Sequence, residues 1–281
     1  MKREVSRFVL AVVVGVGLGL LFPWRISTAA EITVSGELGA PVTVVSTGNT
    51  LPADFSRTER TGDGRAVTAG GQVLFTATSF DLASGALTAA QNSGQIQALP
   101  ATKEALGQLY SSIVGTKEGS RVVTTFTRSG RTEVVVIDVL PTVASGEPAD
   151  AGVLAQRFTY ANDRDGRPIA KGKSAAGNDL DIQVLRTGKG VQVTGSDVVI
   201  GNYRMFDPNG KIIEDTWATD APARVTMAEV YPGLHDGLLD QRVGSRVALT
   251  IPPRLAQGKV AAFVVFDILG VLHPLSGETA K

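Results

Sequence analysis

The chain contains a long internal repeat, and this repeat limits the possible folds more than any other feature of the sequence. Residues 60–81 read RTGDGRAVTAGGQVLFTATSFD, and residues 186–207 read RTGKGVQVTGSDVVIGNYRMFD, with nine of the 22 positions identical. Unrelated segments of ordinary composition would share about one or two positions. The offset of 126 residues is long enough for each copy to bury its own core, so the repeat predicts two domains rather than a solenoid.

Shorter blocks farther along the chain repeat in the same order. The tetrapeptide GSRV occurs at 119–122 and again at 244–247. The segment VVVIDVL at 134–140 corresponds to FVVFDIL at 263–269. Because whole blocks keep their order, we expect the two copies to share one fold.

Each copy has the pattern of strands gathered around one short helix. Alternating or continuous apolar runs in the second copy predict four strands, at 180–186, 198–206, 245–251 and 261–272. Pro232 suits the first turn of a helix, and leucines at helical spacing follow it within 225–241. Apolar spacing in the first copy predicts a helix within 98–116. This arrangement indicates an α+β fold that is built twice.

Composition excludes several functional classes. The chain has 27 basic and 27 acidic residues, so no net field would attract nucleic acid or an acidic membrane surface. It has no cysteine, which excludes disulfides, thiolate catalysis and cysteine metal sites. With only two histidines, neither a catalytic triad nor a histidine zinc site can be assembled.

The N-terminal segment 1–30 is interpreted as an address for export. Basic residues precede an apolar run from Phe8 to Phe22, and small residues follow at Thr28-Ala29-Ala30. This pattern is typical of a signal peptide. The apolar run is short for a membrane span, but it would anchor the protein if it were not cleaved. We therefore expect a secreted or cell-envelope protein that contacts a membrane only through this segment.

The remaining chain divides at changes in composition. A first domain is predicted at 31–141 and a second at 157–272. Segment 142–156 is rich in Ser, Gly, Pro and acidic residues, which predicts a linker, and 273–281 is a short tail.

The motifs of the second copy resemble the FKBP-type peptidyl-prolyl cis-trans isomerases. The resemblance covers 180–271 and is most specific at VGSR, LTIPP and FVVFDIL. It implies tandem FKBP-like domains, each a bent antiparallel sheet wrapped around one short helix, with a substrate cleft between sheet and helix. The first copy keeps the frame but only a diluted version of the signature.

The resemblance assigns four residues of the second copy to catalysis. Tyr203 matches the inward-facing tyrosine of the second strand, and Phe266 matches the phenylalanine of the last strand. Glu214 takes the place of an aspartate. The backbone amide of Tyr231 would hold the substrate carbonyl.

Four further residues are assigned to substrate binding by the same resemblance. Val230 precedes the helix, Ile213 takes the place of a phenylalanine, and Leu234 takes the place of the tryptophan on the cleft floor. Gln257 stands where the family has a tyrosine, and the loop that overhangs the cleft in the family is cut to Lys259-Val260. These two departures favour slow turnover or binding alone.

The resemblance implies proline-containing polypeptides as substrates and requires no cofactor or metal. Three functions stay open at this point. The first is an exported prolyl isomerase that assists folding and works through the second domain. The second is a non-catalytic module that holds extended peptides, and the third is a structural surface protein that uses the domains as spacers.

Overall fold

The structure is a computed structural model that describes eight ranges of the chain: 31–47, 50–83, 86–89, 94–128, 131–149, 158–219, 222–257 and 260–273. The predicted export segment, most of the predicted tail, the second half of the predicted linker and Lys259 lie outside these ranges. Among the described residues, no helix has the length and apolar character needed to cross a membrane.

The first copy of the repeat forms a hairpin and a six-stranded antiparallel sheet. The hairpin pairs β1 (Ile32–Ser35) with β2 (Thr43–Ser46). The sheet has the order β3-β7-β8-β4-β5, with β6 also paired to β4. Its strands are β3 (Ser56–Arg60), β4 (Gln72–Ala83), β5 (Ala86–Ala89), β6 (Ile96–Pro100), β7 (Arg121–Arg128) and β8 (Arg131–Leu140).

The second copy repeats this plan. Its hairpin pairs β10 (Thr159–Asn162) with β11 (Pro168–Lys171). Its seven-stranded sheet has the order β14-β13-β17-β16-β12-β9, with β15 also paired to β13. The strands are β9 (Glu147–Pro148), β12 (Asp181–Thr187), β13 (Val198–Phe206), β14 (Ile212–Asp215), β15 (Ala223–Thr226), β16 (Arg246–Ile251) and β17 (Ala262–Leu272). The four strands predicted from the sequence are thus confirmed to within one residue at each end.

The helices are shorter than the sequence windows that predicted them. In the second copy, α3 (Pro232–Leu238) begins with proline in its first turn, as expected. In the first copy, α1 (Lys103–Leu106) and α2 (Tyr110–Ile113) are separated by the 3-10 turn Gly107–Leu109. The predicted window 98–116 contains these helical segments, but its first residues, 98–100, complete β6 and pair with β4.

Each sheet carries its helix on one face and its hairpin on the other. Alternating residues of β4 show this: Val73 and Phe75 join the cluster around the helices, whereas Phe80 joins the cluster under the hairpin. In β17, Phe266 faces α3 and Val265 faces the second hairpin. Period-two alternation therefore sends each strand into two separate cores.

A buried ion pair from the repeated blocks ties hairpin to sheet in both copies. Arg121 Nε lies 2.6 Å from Asp138 Oδ1, and Arg246 Nε lies 2.5 Å from Asp267 Oδ1. All four residues are buried. The guanidinium of Arg121 also donates to the carbonyls of the first hairpin turn, and that of Arg246 donates to the carbonyl of Gly166 in the second. The repeated arginine and aspartate are thus structural, since each guanidinium satisfies a carboxylate and a turn together.

The segment between the copies differs from the predicted linker. Thr142 and Ala144 are buried, and the amide of Ala144 donates to Asp267 Oδ2 at 2.7 Å. Glu147–Pro148 forms the edge strand β9 against β12. The polar composition of this segment did not indicate strand β9, because backbone hydrogen bonds to a sheet edge do not require apolar side chains.

Thr142 joins the two copies. Its hydroxyl donates to Glu118 Oε1 at 2.7 Å in the first copy. Its carbonyl accepts hydrogen bonds from Asn202 Nδ2 at 3.2 Å and Trp217 Nε1 at 3.0 Å in the second. An apolar cluster completes the joint with Leu74, Ile96 and Leu140 of the first copy and Ile200 and Leu269 of the second.

The joint lies on the sheet faces that point away from the helices. Leu74 alternates with the helix-facing Val73 and Phe75, and Ile200 follows the helix-facing Val199. Each helix, with the sheet surface beside it, therefore faces away from the joint.

Candidate active site

The center of the second copy is a pair of aromatic rings on neighbouring strands. Tyr203 of β13 is paired directly with Phe266 of β17. Their rings are stacked, with centroids 5.9 Å apart and an interplanar angle of 12°. Phe266 is fully buried and Tyr203 is half-buried. Cross-strand aromatic pairs stabilise a sheet, and this one also places a tyrosine edge at its surface.

A carboxylate on the next strand fixes the Tyr203 hydroxyl. Strand β14 pairs with β13, which places Glu214 opposite Met205. The hydroxyl of Tyr203 donates a hydrogen bond to Glu214 Oε1. Burial, followed by the interaction with Glu214, raises the pKa of Tyr203 well above its ordinary value. The phenol therefore remains protonated at physiological pH and acts here as a donor.

The backbone amide of Tyr231 stands at the start of α3. Tyr231 is the N-cap residue, with φ −64° and ψ 150°, and Pro232 follows it. Its carbonyl accepts hydrogen bonds from the amides of Leu234 and His235. Its own amide donates to no group in the described parts of the chain. The Tyr231 ring is partly buried, and burial, followed by the charge of Glu214, raises the pKa of its hydroxyl.

Apolar side chains join these groups into one surface between sheet and helix. Val230, Tyr231 and Leu234 belong to the same cluster as Phe266 and Tyr203. Leu234 has 7% of its surface exposed, as expected for a floor residue. Sequence reasoning did not assign other members of the cluster to the site, among them Met205 and Leu255. Met205 could have been predicted, because a residue two positions beyond Tyr203 faces the same side of a strand.

Two of the predicted substrate-binding residues are not part of this surface. Ile213 has 59% of its surface exposed, and Gln257 is also exposed. Ile213 does not belong to the apolar cluster around Phe266. The pairing of β13 with β14 shifts register between Met205 and Phe206, which places Ile213 at a bulge. The structure thus brings six of the eight predicted residues together and leaves Ile213 and Gln257 exposed.

The described residues of this region offer no set of side chains arranged to bind a metal ion. Within the described residues, no group of three or more His, Asp or Glu side chains is arranged to hold a metal ion. His235 Nδ1 lies 2.9 Å from Asp236, on the exposed side of α3. The arrangement offers an apolar surface, one fixed hydroxyl and, among the described residues, one backbone amide without an acceptor, which together could bind and orient an amide.

The same place in the first copy carries different residues. Ala77 is paired with Ile137 where the second copy pairs Tyr203 with Phe266. A groove of about 420 Å³ lies over this position. It is lined by residues 104–109 and by the sheet residues Ala77, Ser79, Phe126, Glu133 and Val135. Glu104 lines this groove. We refer to it below as the first groove.

Comparison with known proteins finds similarity in the second copy. Residues 189–267 match the family described as FKBP-type peptidyl-prolyl cis-trans isomerase. Over 105 residues the chain is 31% identical to the FKBP-type peptidyl-prolyl cis-trans isomerase FkpA of Escherichia coli K12, a match covering 35% of this chain and 39% of that relative. The chain therefore spans well under half of the relative's length.

Solved structures of FKBP proteins match at different extents. The crystal structure of FkpA from Escherichia coli covers 36% of this chain and 52% of its own, with 31% identity and a TM-score of 0.31. The three FKBP domains of wheat FKBP73 cover 79% of this chain and 96% of their own, with 13% identity and a TM-score of 0.29.

Proposed function

We propose that the second copy is a peptidyl-prolyl cis-trans isomerase that acts on exported proteins. The observation that carries this proposal is the stacked pair Tyr203–Phe266 in one cluster with Tyr231, whose amide has no acceptor among the described residues. In this proposal the two copies are tandem FKBP-like domains, and only the second is catalytic.

The reaction needs binding selectivity rather than titrating groups. Rotation about a prolyl bond is slow because amide resonance gives a barrier of about 18–20 kcal/mol. The twisted transition state has lost that resonance and is less polar than the planar ground state. An apolar cleft that excludes water therefore favours the transition state. An acceleration of about 1,000-fold requires only about 4 kcal/mol of this selectivity.

Each residue has a specific role in this mechanism. Val230 and Leu234 supply apolar walls around the proline ring, and the buried Phe266 supports the Tyr203 ring by stacking on it. The amide of Tyr231 donates to the substrate carbonyl, and Tyr203 presents its ring and hydroxyl at the rim. Glu214 accepts the Tyr203 hydroxyl proton in a hydrogen bond and so holds that ring in position.

Exchange NMR on a short Xaa-Pro peptide tests the proposal directly. Uncatalysed exchange takes tens to hundreds of seconds, so even weak catalysis by the full chain is measurable. We expect Phe266→Leu to lower the rate by about tenfold, equivalent to about 1.4 kcal/mol of lost selectivity. The matched first-copy variant Ile137→Val leaves the rate unchanged. Absence of exchange catalysis by the full chain at high concentration would contradict the proposal.

Export is the second part of the proposal, and it rests on segment 1–30. Cleavage after Ala30 gives a mature protein that begins at Glu31. Mass spectrometry of the native protein measures this terminus. An intact Met1 in the membrane fraction would instead show that the segment serves as an anchor.

A further inference from the structure

We propose that the first groove binds an extended polypeptide segment in which a lysine or arginine adjoins an aliphatic residue. The groove exists because Ala77 stands where the second copy has Tyr203. Its volume of about 420 Å³ lies within the range of about 300–1,000 Å³ that is usual for binding sites. The proposal does not depend on catalysis by the second copy.

The base of the first groove is apolar. Leu106 and Val135 are buried there. Leu109 and Phe126 also line the groove and are partly exposed, so they present apolar surface that the fold itself leaves uncovered. Burial of such surface by a ligand is favourable at about 25 cal/mol per Å².

Two carboxylates accompany this apolar surface. Glu104 stands in the first turn of α1, and Glu133 stands on β8. Ser79 Oγ donates to Glu133 Oε2 at 2.7 Å, which fixes the direction of that carboxylate. Among the side chains that the structure describes, neither glutamate forms an ion pair. Lys103, although next to Glu104 in sequence, holds its Nζ 5.8 Å from the center of the Tyr110 ring.

Charge and shape together identify the occupant. The chain as a whole has no net charge, whereas the charged groups of the first groove are both acidic. A lysine or arginine side chain has an apolar stem and a cationic end, which matches an apolar base with carboxylates beside it. A neighbouring aliphatic residue would cover the remaining apolar surface. A free metal ion or small amine would leave that surface exposed to water.

Fluorescence anisotropy with a labelled, proline-free peptide of alternating leucine and lysine tests the proposal on the full chain. The peptide with acetylated lysines is the matched probe, because it keeps shape and loses charge. We expect the lysine peptide to bind and the acetylated peptide to bind more weakly. The double variant Glu104→Gln/Glu133→Gln weakens binding by about fivefold, as expected for two partly exposed ion pairs.

Two further variants locate the binding site. Ala77→Phe fills the first groove and should abolish binding, while the thermal unfolding midpoint shows that the chain is still folded. Glu229→Gln removes one exposed acidic group of the second copy and should leave peptide affinity unchanged. The proposal is overturned by absence of binding, by equal binding of both peptides, by an Ala77→Phe chain that binds as before, or by loss of affinity in Glu229→Gln.

Discussion

The two copies share a framework and differ at the center of the sheet. The amide of Gly62 donates to Ser120 Oγ at 2.9 Å, and the amide of Gly188 donates to Ser245 Oγ at the same distance. At the center, the first copy has Phe75, Ala77 and Ile137, whereas the second has Gly201, Tyr203 and Phe266. The buried ring that faces the helix comes from β4 in one copy and from β17 in the other. Core volume is conserved by this exchange, but the hydroxyl and its place at the surface are not.

In the second copy, Gly201 leaves the space that the Phe266 ring occupies. A Cβ at this position would lie 2.2 Å from Cε1 of Phe266 and 2.4 Å from the carbonyl oxygen of Asp267. The pairing of β13 with β17 also shifts register between Ile200 and Gly201, whereas the pairing of β4 with β8 is continuous there. A glycine at a bulge allows the close approach of the other strand. Packing therefore tolerates substitution by volume, while a binding site depends on which residue carries the ring.

The largest effect is expected where the copies are alike. Arg121→Ala and Arg246→Ala each leave a buried carboxylate without its partner, which costs about 3–5 kcal/mol. Urea denaturation of the two variants measures both losses. Equal losses would show that the framework is equivalent in the two copies. A loss below about 1 kcal/mol in either variant would show that its ion pair is not structural.

A smaller effect is expected where the copies differ. Gly201→Ala should destabilise the second copy by about 1–3 kcal/mol through overpacking. Phe266→Ile introduces the first-copy residue and removes the ring that the new Cβ meets. The double variant should therefore be less unstable than the sum of the single variants, by about 0.5 kcal/mol or more. Recovery is incomplete, because the Asp267 carbonyl stays close. Strict additivity in a double-mutant cycle would contradict the proposed exchange of rings.

The smallest expected effect is a difference between the two hairpins in their stability at low pH. The carboxylate of Asp163 accepts hydrogen bonds from the amides of Asp165 and Arg167, and it lies 3.2 Å from Arg204 Nη1. Burial alone would raise the pKa of Asp163, but these hydrogen bonds outweigh it and lower the pKa. The turn of the first hairpin, at 36–39, contains no aspartate.

A lowered carboxyl pKa has a definite consequence for stability. The folded state favours the ionised form, so this contribution is present above the unfolded pKa of about 3.9 and is lost as pH falls through the folded value. The exposure of the site limits the effect to less than about 1 kcal/mol. Amide exchange followed from about pH 5 down to about pH 2 should show the second hairpin opening before the first. Asp163→Asn should remove this difference, and simultaneous opening in the unmodified chain would contradict it.

The sequence predicted the strands and the core of the site better than it predicted how elements meet. β13 and β17 were located because alternation and continuous apolar runs are local properties. Tyr203 and Phe266 were correctly expected to lie together, because the family resemblance fixed their strands. The bulge at Ile213 could not be predicted, because a bulge depends on the pairing of two strands and leaves no signal in the sequence of one.

The contacts between the copies could not be predicted for a related reason. Leu74 and Ile200 read simply as members of apolar strands, and nothing near them in sequence indicates what covers their second face. The burial of Thr142 depends on partners 24 and 75 residues away. The polar composition of its segment predicted a linker, although the backbone of Thr142 forms hydrogen bonds with both copies.

The position of the joint affects how a client chain would travel on the molecule. The helix sides of both sheets face away from the joint, so a straight stretch of polypeptide that lies in one cleft does not lead into the other. An extended strand advances about 3.3 Å per residue, and a chain occupying both clefts would need a slack loop around the body of the protein. Such a loop gives little gain in effective concentration. The two halves would therefore serve separate stretches of chain, or two different chains at once, rather than form one continuous track.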